Sequence, residues 1–150
     1  MDELIVFTDG GCSGNPGPGG WAYVIVADGT VREKWGAESA TTNNRMELSA
    51  VIAALETVLA DSALSSRPLT VYTDSQYVQK GISQWVASWK RNGWRTASKD
   101  PVKNKELWQA LDGLAARVSV TWRWVKGHAG NEYNERCDAL TQEAIASLRN

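Results

Sequence analysis

The chain has 150 residues, of which 43% are hydrophobic and 22% charged, with a net charge of −1 and two cysteines. That length suits a single domain able to bury well over half of its unfolded surface, and the composition excludes both a disordered chain and a disulfide-stapled scaffold. No basic stretch followed by a long apolar run opens the sequence and no segment approaches membrane-spanning length, so a cytoplasmic protein without a membrane partner is expected.

In chain order, strand-like runs cover Glu3 to Thr8, Gly20 to Ala27 and Thr30 to Ala40, with a turn at Asp28-Gly29, which predicts an antiparallel meander. The cluster Thr41-Thr42-Asn43-Asn44 supplies N-cap oxygens for a helix over Met46 to Ala60. Leu69 to Thr73 is a short, strongly apolar strand of the kind buried in a parallel pairing, so strand, crossover helix and strand form one unit. Ser75 to Gly81 reads as a short helix ending at glycine, Ile82 to Trp94 as a second and Asn104 to Ala116 as a third. Val118 to Val125 alternates as a strand, with Trp122 and Trp124 read as sheet core, and Asn131 to Leu148 is a terminal helix. The predicted fold is α/β, with a mixed five-stranded sheet flanked by helices and one domain spanning residues 1–150.

Charge is segregated along this order. Lys80, Lys90, Arg91, Arg95, Lys99, Lys103 and Lys105 face one anion, Asp100, giving that segment +6 and the remainder −7. Trp85 and Trp89 lie one helical turn apart within it, followed by Trp94. Cations interleaved with aromatic rings suit a polyanion groove that neutralises phosphates and stacks sugars or bases, although a solvated helix face is the commoner fate of a charge run.

Four acids sit where a solvated surface would not place them. Asp9 and Asp74 each close an apolar strand, Glu47 shares a helical stripe with Val51, Ala54, Leu55 and Val58, and Asp138 interrupts the apolar side of the last helix. Desolvating carboxylates together costs several kcal/mol each unless cations compensate them, which points to a divalent metal. Cys12 and Cys137 lack metal-ligand spacing and are expected to be reduced thiols. The glycine-rich stretch from Gly10 to Gly20 has no lysine, contains two prolines and leads into a strand, so it is a poor phosphate loop. Its glycines instead permit close backbone approach beside Asp9. His128, the only histidine, lies in a loop between Gly127 and Gly130, where packing does not demand it.

The segments Asp9-Gly-Gly-Cys-Ser-Gly-Asn-Pro-Gly17, Thr42-Asn-Asn-Arg-Met-Glu47, Thr73-Asp-Ser-Gln-Tyr-Val78, Val125-Lys-Gly-His-Ala-Gly130 and Asn134-Glu-Arg-Cys-Asp138 together resemble bacterial ribonuclease H of type 1, in order and spacing, nearly end to end. The resemblance implies a metal-dependent endonuclease, a monomer, that cleaves the RNA strand of RNA/DNA hybrids to 5′-phosphate and 3′-hydroxyl ends. It implies Asp9, Glu47, Asp74 and Asp138 as catalytic metal ligands, with Asp9 as the bridging one. Magnesium suits these hard oxygen donors in a two-metal scheme, and manganese should substitute. By the same resemblance His128 transfers a proton or assists product departure. Asn15, Asn44 and Gln76 read the minor groove, and Cys12, with the Gly11 to Ser13 backbone, lies near the ribose. Thr42, with Asn44, is positioned for a DNA phosphate, and Trp85, Trp89 and Lys90 belong to the substrate-binding arm, in which Trp85 is expected to reach the DNA strand and the remaining rings mainly to pack. The rival expectations are a hybrid-binding module that does not cut and a DNA-cutting nuclease on the same fold.

Overall fold

The computed structural model describes residues 4–125 and 131–148. Three strands, β1 (Leu4–Cys12), β2 (Gly17–Ala27) and β3 (Thr30–Thr41), form the expected antiparallel meander. Asp28 and Gly29 join β2 to β3 with φ of 54° and 78°, the pair of left-handed residues that a two-residue hairpin turn requires. Helix α1 (Asn43–Ala60) begins three residues before the predicted Met46, because Thr42 caps it: its Oγ1 accepts the N–H of Arg45 at 3.2 Å. Asn44, which composition allows as a cap, lies instead in the first turn and is exposed. Strand β4 (Leu69–Thr73) matches its predicted bounds and pairs parallel to β1, completing the strand–helix–strand unit. Strand β5 (Val120–Trp124) adds parallel to β4, so the sheet order is β3-β2-β1-β4-β5, mixed as expected.

The structure corrects the sequence reading of the helical segment at Gly81. Helix α2 (Gln76–Lys80) does not stop there; it passes through one π-helical turn (Gly81–Trp85) into α3 (Val86–Arg91). Gly81 has ordinary right-handed helical angles, φ −59° and ψ −49°. A Cβ at that position would collide with the ring of Trp108, so the glycine serves packing and not termination. The rod ends at Arg91, short of the predicted Trp94, where Gly93 and Trp94 take positive φ. A loop then leads to α4 (Lys105–Ala115), and α5 (Glu132–Ser147) closes the chain, capped by Asn131, whose Oδ1 accepts the N–H groups of Tyr133 and Asn134. Among the described residues no helix is long and apolar enough to cross a membrane.

Two apolar layers hold the sheet. On one face Leu4, Val6, Tyr23, Ile25, Leu69 and Val71 meet Leu48, Val51, Leu55 and Val58 of α1, with Trp108 and Leu111 of α4 alongside. On the other, Phe7, Ala22 and Val24 meet Cys137 and Leu140 of α5. Trp122 packs partly buried against the larger layer, but Trp124 does not join it: 39% of its surface is exposed, which corrects the expectation of two core tryptophans. Trp124 ends β5, the short edge strand of the sheet, which pairs with β4 alone among the described strands.

Strand β1 also runs past its predicted end at Thr8. Asp9 pairs with Ala22, Gly10 with Trp21, Gly11 with Gly20 and Cys12 with Gly19, so Asp9 lies inside a strand. Glycine's poor strand propensity hid this extension, which the partner strand stabilises. A Cβ on Gly10 would stand 2.5 Å from the main-chain N of Glu47 and C of Met46, so α1 rests on β1 backbone to backbone. Gly10→Ala should therefore lower stability by about 1–3 kcal/mol through overpacking. Gly113→Ala, within α4 where nothing lies within 4 Å, should raise it by up to about 1 kcal/mol through helix propensity. Urea denaturation midpoints of the two variants check these opposite signs.

Candidate active site

The parallel ladder between β1 and β4 runs from Leu4 opposite Leu69 to Phe7 opposite Tyr72, after which the strands part. β4 ends at Thr73, while β1 continues with its antiparallel partner. That parting marks the crevice position, at the carboxyl ends of the strands, where open α/β sheets place their ligands. Asp9 enters it from β1, Asp74 from the residue after β4 and Glu47 from α1. One carboxylate oxygen from each lies within 4.8 Å of the others. Asp9 and Glu47 are each only 6% exposed, and Asp74 is half-buried. Strand alternation sets Asp9 on the side of Phe7, toward α5. Glu47 can join it from the other layer because Gly10 lets α1 settle onto the strand.

Three acids so close cannot all keep full negative charge at little cost. Burial pushes the Glu47 carboxyl well above the usual carboxylate range, and the charges of Asp9 and Asp74 push it further, against the opposing Gly10 N–H donated to it. Its Oε1 is buried and has no hydrogen-bond partner. A buried acceptor in that position forfeits a sizeable desolvation cost unless a ligand meets it. Hard, anionic oxygens converging on one point are the donor set of a divalent cation such as magnesium. Cys137, whose Sγ donates to the Phe7 carbonyl at 3.3 Å, is no nucleophile here: burial first, then the Asp9 charge, drives its pKa far up and keeps it a thiol.

Of the four predicted carboxylates the structure therefore groups three. Asp138 is half-buried on α5, next to Cys137 and on the helix that covers the Asp9 side of the sheet, but it is not a member of the close group. His128 lies outside the described residues. Cys12 is half-buried, its Sγ donating to the carbonyls of Gly17 and Thr41. Asn15 is exposed and its Oδ1 accepts the N–H of Asn43, tying the glycine-rich segment to the start of α1. Gln76 is the exposed first residue of α2, after the cap Ser75.

Sequence reasoning missed two side chains beside Thr42. Arg45 and Asn104 line an open hollow of about 400 Å³ with Pro16, Glu38, Ala40, Thr41 and Thr42. The Thr41 Oγ1 there is buried without a hydrogen-bond partner, while Arg45 is held by Glu38 at 2.8 Å. Asn104 has φ 58°, a left-handed angle that asparagine tolerates better than most residues, and its Nδ2 donates to the Tyr77 hydroxyl at 3.3 Å. Nothing local in the sequence brings Asn104 to Thr42; only the fold does.

Of the basic segment, Lys80, Lys90 and Arg91 lie on the rod formed by α2, the π-helical turn and α3, while Arg95, Lys99 and Lys103 follow in the loop beyond it. Trp85 packs on Tyr77 and Trp89, with ring centroids 5.7 and 5.8 Å apart, and Trp89 packs on Trp94 and Trp108. Both Trp85 and Trp89 stay partly exposed. Lys90 is exposed and pairs with Asp112 at 3.2 Å, a surface contact of little energetic weight.

The RNase H family model matches residues 1–146 of the chain. The chain belongs to the ribonuclease H family. It is 56% identical over 148 residues to a "Ribonuclease H" of Paramagnetospirillum magneticum, covering 99% of this chain and 93% of that one. It is 54% identical over 150 residues to a "Ribonuclease H" of Cupriavidus metallidurans, covering 99% of each. Among solved structures it resembles LC11-RNase H1 in complex with RNA/DNA hybrid, with a TM-score of 0.77 and 26% identity, covering 99% of this chain and all of that one. The mixed five-stranded sheet is thus that of ribonuclease H structures.

The raised Glu47 pKa has a stability consequence with a definite sign. The folded protein holds the Glu47 proton more tightly than the unfolded chain does, so without metal this stabilisation is present at low pH and is lost as pH rises through the folded-state pKa. Glu47→Gln should accordingly raise the Tm of the EDTA-treated protein at pH 8, by about 2–4 °C for each kcal/mol relieved. The gain should shrink toward pH 4 and shrink again when magnesium is added, since the glutamine cannot match the carboxylate as a ligand. Thermal melts at the two pH values, with and without magnesium, check it.

Proposed function

We propose that this ribonuclease H is a single-domain, monomeric endonuclease that hydrolyses the RNA strand of RNA/DNA hybrids at the Asp9, Glu47 and Asp74 centre, leaving 5′-phosphate and 3′-hydroxyl ends. The convergence of those three carboxylates within 4.8 Å carries the reading, together with relatives named Ribonuclease H and a structural neighbour in complex with RNA/DNA hybrid. A hybrid-binding module without activity would have no reason to bear the electrostatic cost of that group.

Asp9, Glu47 and Asp74 would hold magnesium, with manganese as a substitute and Asp138 contributing from α5. A pair of such ions would supply activation of a water and neutralisation of the charge that develops in an in-line displacement. The chain's own part is to fix the oxygens: Asp9 by its place within β1, Glu47 by the Gly10 contact and Asp74 by the end of β4. His128 would carry a proton or help product depart, the ordinary task of an imidazole near neutral pH.

Hybrid recognition would begin at the minor groove, where the 2′-hydroxyl separates ribose from deoxyribose. Asn15, Asn44 and Gln76, all exposed, would read that groove, with Cys12 and its neighbouring main chain nearer the ribose. A DNA phosphate suits the hollow beside Thr42, where the N-terminus of α1, Arg45 and Asn104 would supply donors. Trp85, Trp89 and Lys90, with the exposed cations near them, suit the DNA strand further along.

One duplex sequence prepared as RNA/DNA, DNA/DNA and RNA/RNA tests the assignment: cleavage is expected in the RNA strand of the first alone. Asp9→Asn and Asp74→Asn should each reduce kcat by about a thousandfold, the scale of several kcal/mol of lost charge stabilisation, while hybrid binding persists. His128→Ala should lower kcat by about a hundredfold and change the pH–rate profile, again without loss of binding. Replacing Lys90, Arg91 and Lys99 by glutamine should weaken hybrid binding and flatten its salt dependence by roughly one unit of slope for each phosphate no longer neutralised.

A further inference from the structure

We propose that Trp124 is a positioning residue for the carboxylate centre, its indole N–H holding the main chain of Asp74 and, through it, the Asp74 carboxylate beside Asp9 and Glu47. The proposal rests on the metal-dependent reading above and deepens it, because no sequence pattern assigns this ring a part in the site.

The geometry comes from the last rung of the sheet. Trp124 is the final residue of β5 and stands opposite Thr73, the final residue of β4. Val125 N–H then donates to the Thr73 carbonyl at 2.9 Å, which completes the main-chain ladder. The next carbonyl belongs to Asp74, beyond that ladder, and the Trp124 Nε1–H donates to it at 3.2 Å. A side chain thus continues the sheet by one bond at the residue that delivers a carboxylate.

The neighbours of Asp74 are pinned as well. Ser75 N–H donates to the Thr73 Oγ1 at 3.0 Å, and Ser75 Oγ accepts the N–H of Val78 at 3.1 Å, starting α2. The peptide unit between Asp74 and Ser75 is thus held at both ends, its N–H by the Thr73 Oγ1 and its carbonyl by the Trp124 indole, and the indole is the one grip on it that comes from outside the Thr73–Val78 segment.

Exposure separates this role from ordinary packing. Tryptophan is normally kept for the large apolar area it buries, and Trp122, two residues earlier, is packed in that way. Trp124 leaves 39% of its surface in solvent while its one polar atom meets Asp74.

Trp124→Phe removes the N–H and keeps most of the ring. Isothermal titration with Mn²⁺, without nucleic acid, is expected to give a Kd three- to tenfold higher than wild type, the scale of one neutral hydrogen bond. The metal concentration for half-maximal hybrid cleavage should rise by a similar factor and KM for the hybrid should not change. Trp122→Phe, on the same strand, should alter Tm and leave Mn²⁺ affinity alone. In the unmodified protein the Trp124 indole proton should resist solvent exchange despite its exposed ring and its resonance should shift during Mg²⁺ titration, which needs no folded variant. Unchanged Mn²⁺ affinity in Trp124→Phe, a raised hybrid KM at constant metal affinity, or a fast-exchanging, metal-insensitive indole proton would each overturn the proposal. Wild-type protein that binds no Mn²⁺ would instead overturn the metal-dependent reading itself, and this role with it.

Discussion

Everything about the crevice depends on a contact without side chains: the backbone of α1 lying on the backbone of β1 at Gly10. Helices normally stand off a sheet by the thickness of two layers of side chains. Here the missing Cβ removes that spacing at one point, and Glu47, the residue whose N–H crowds Gly10, arrives beside an acid rooted in the sheet. Gly20 plays the same part for the opposite layer, where a Cβ would meet the Ala144 side chain at 2.7 Å and the Thr141 carbonyl at 3.0 Å. The glycine-rich segment is therefore a pair of docking surfaces on two adjoining strands. Its composition suits backbone contact with helices as well as it suits contact with a ligand.

That docking creates an electrostatic conflict that no other carboxylate group among the described residues shares. Elsewhere acids meet cations at the surface: Glu33 with Arg136, Glu38 with Arg45, Asp112 with Lys90. At the crevice the charges acting on Glu47 come from two more acids, and burial magnifies them. A fold selected for stability alone would replace such a group with apolar residues, as it does one turn along α1 at Val51. Local conflict of this kind, kept within an otherwise consistent core, marks function.

How much of this could be read from the amino acids divides along physical lines. Period-2 and period-3.6 patterns with ordinary caps gave β4 its bounds, the meander its order and α1 its buried stripe, because those features depend on near neighbours. The strand extension through Asp9 to Cys12 was not legible, since glycines carry no strand signal and their ladder is supplied by β2. Gly81 read as a helix end because its true reason, the Trp108 ring, lies 27 residues away. Trp124 looked like core by alternation, but an edge strand leaves one of its ends uncovered. For the site, residue type and motif order pointed to Asp9, Glu47 and Asp74, which the fold brings together; Asp138 sits on the neighbouring helix, and Arg45 and Asn104 emerge only once distant segments are folded against Thr42.

The unbroken rod from Gln76 to Arg91 ties two tasks to one beam. It starts two residues after Asp74 and runs roughly 24 Å at helical rise before reaching the cationic tip. The cationic tip and the residue after Asp74 are thus mounted on the same shaft, with the Trp108 ring wedged at Gly81 as its bearing. On the proposed reading, the reach between the cationic tip and the acids is set by a count of residues, and an insertion or deletion in that shaft would re-gauge it.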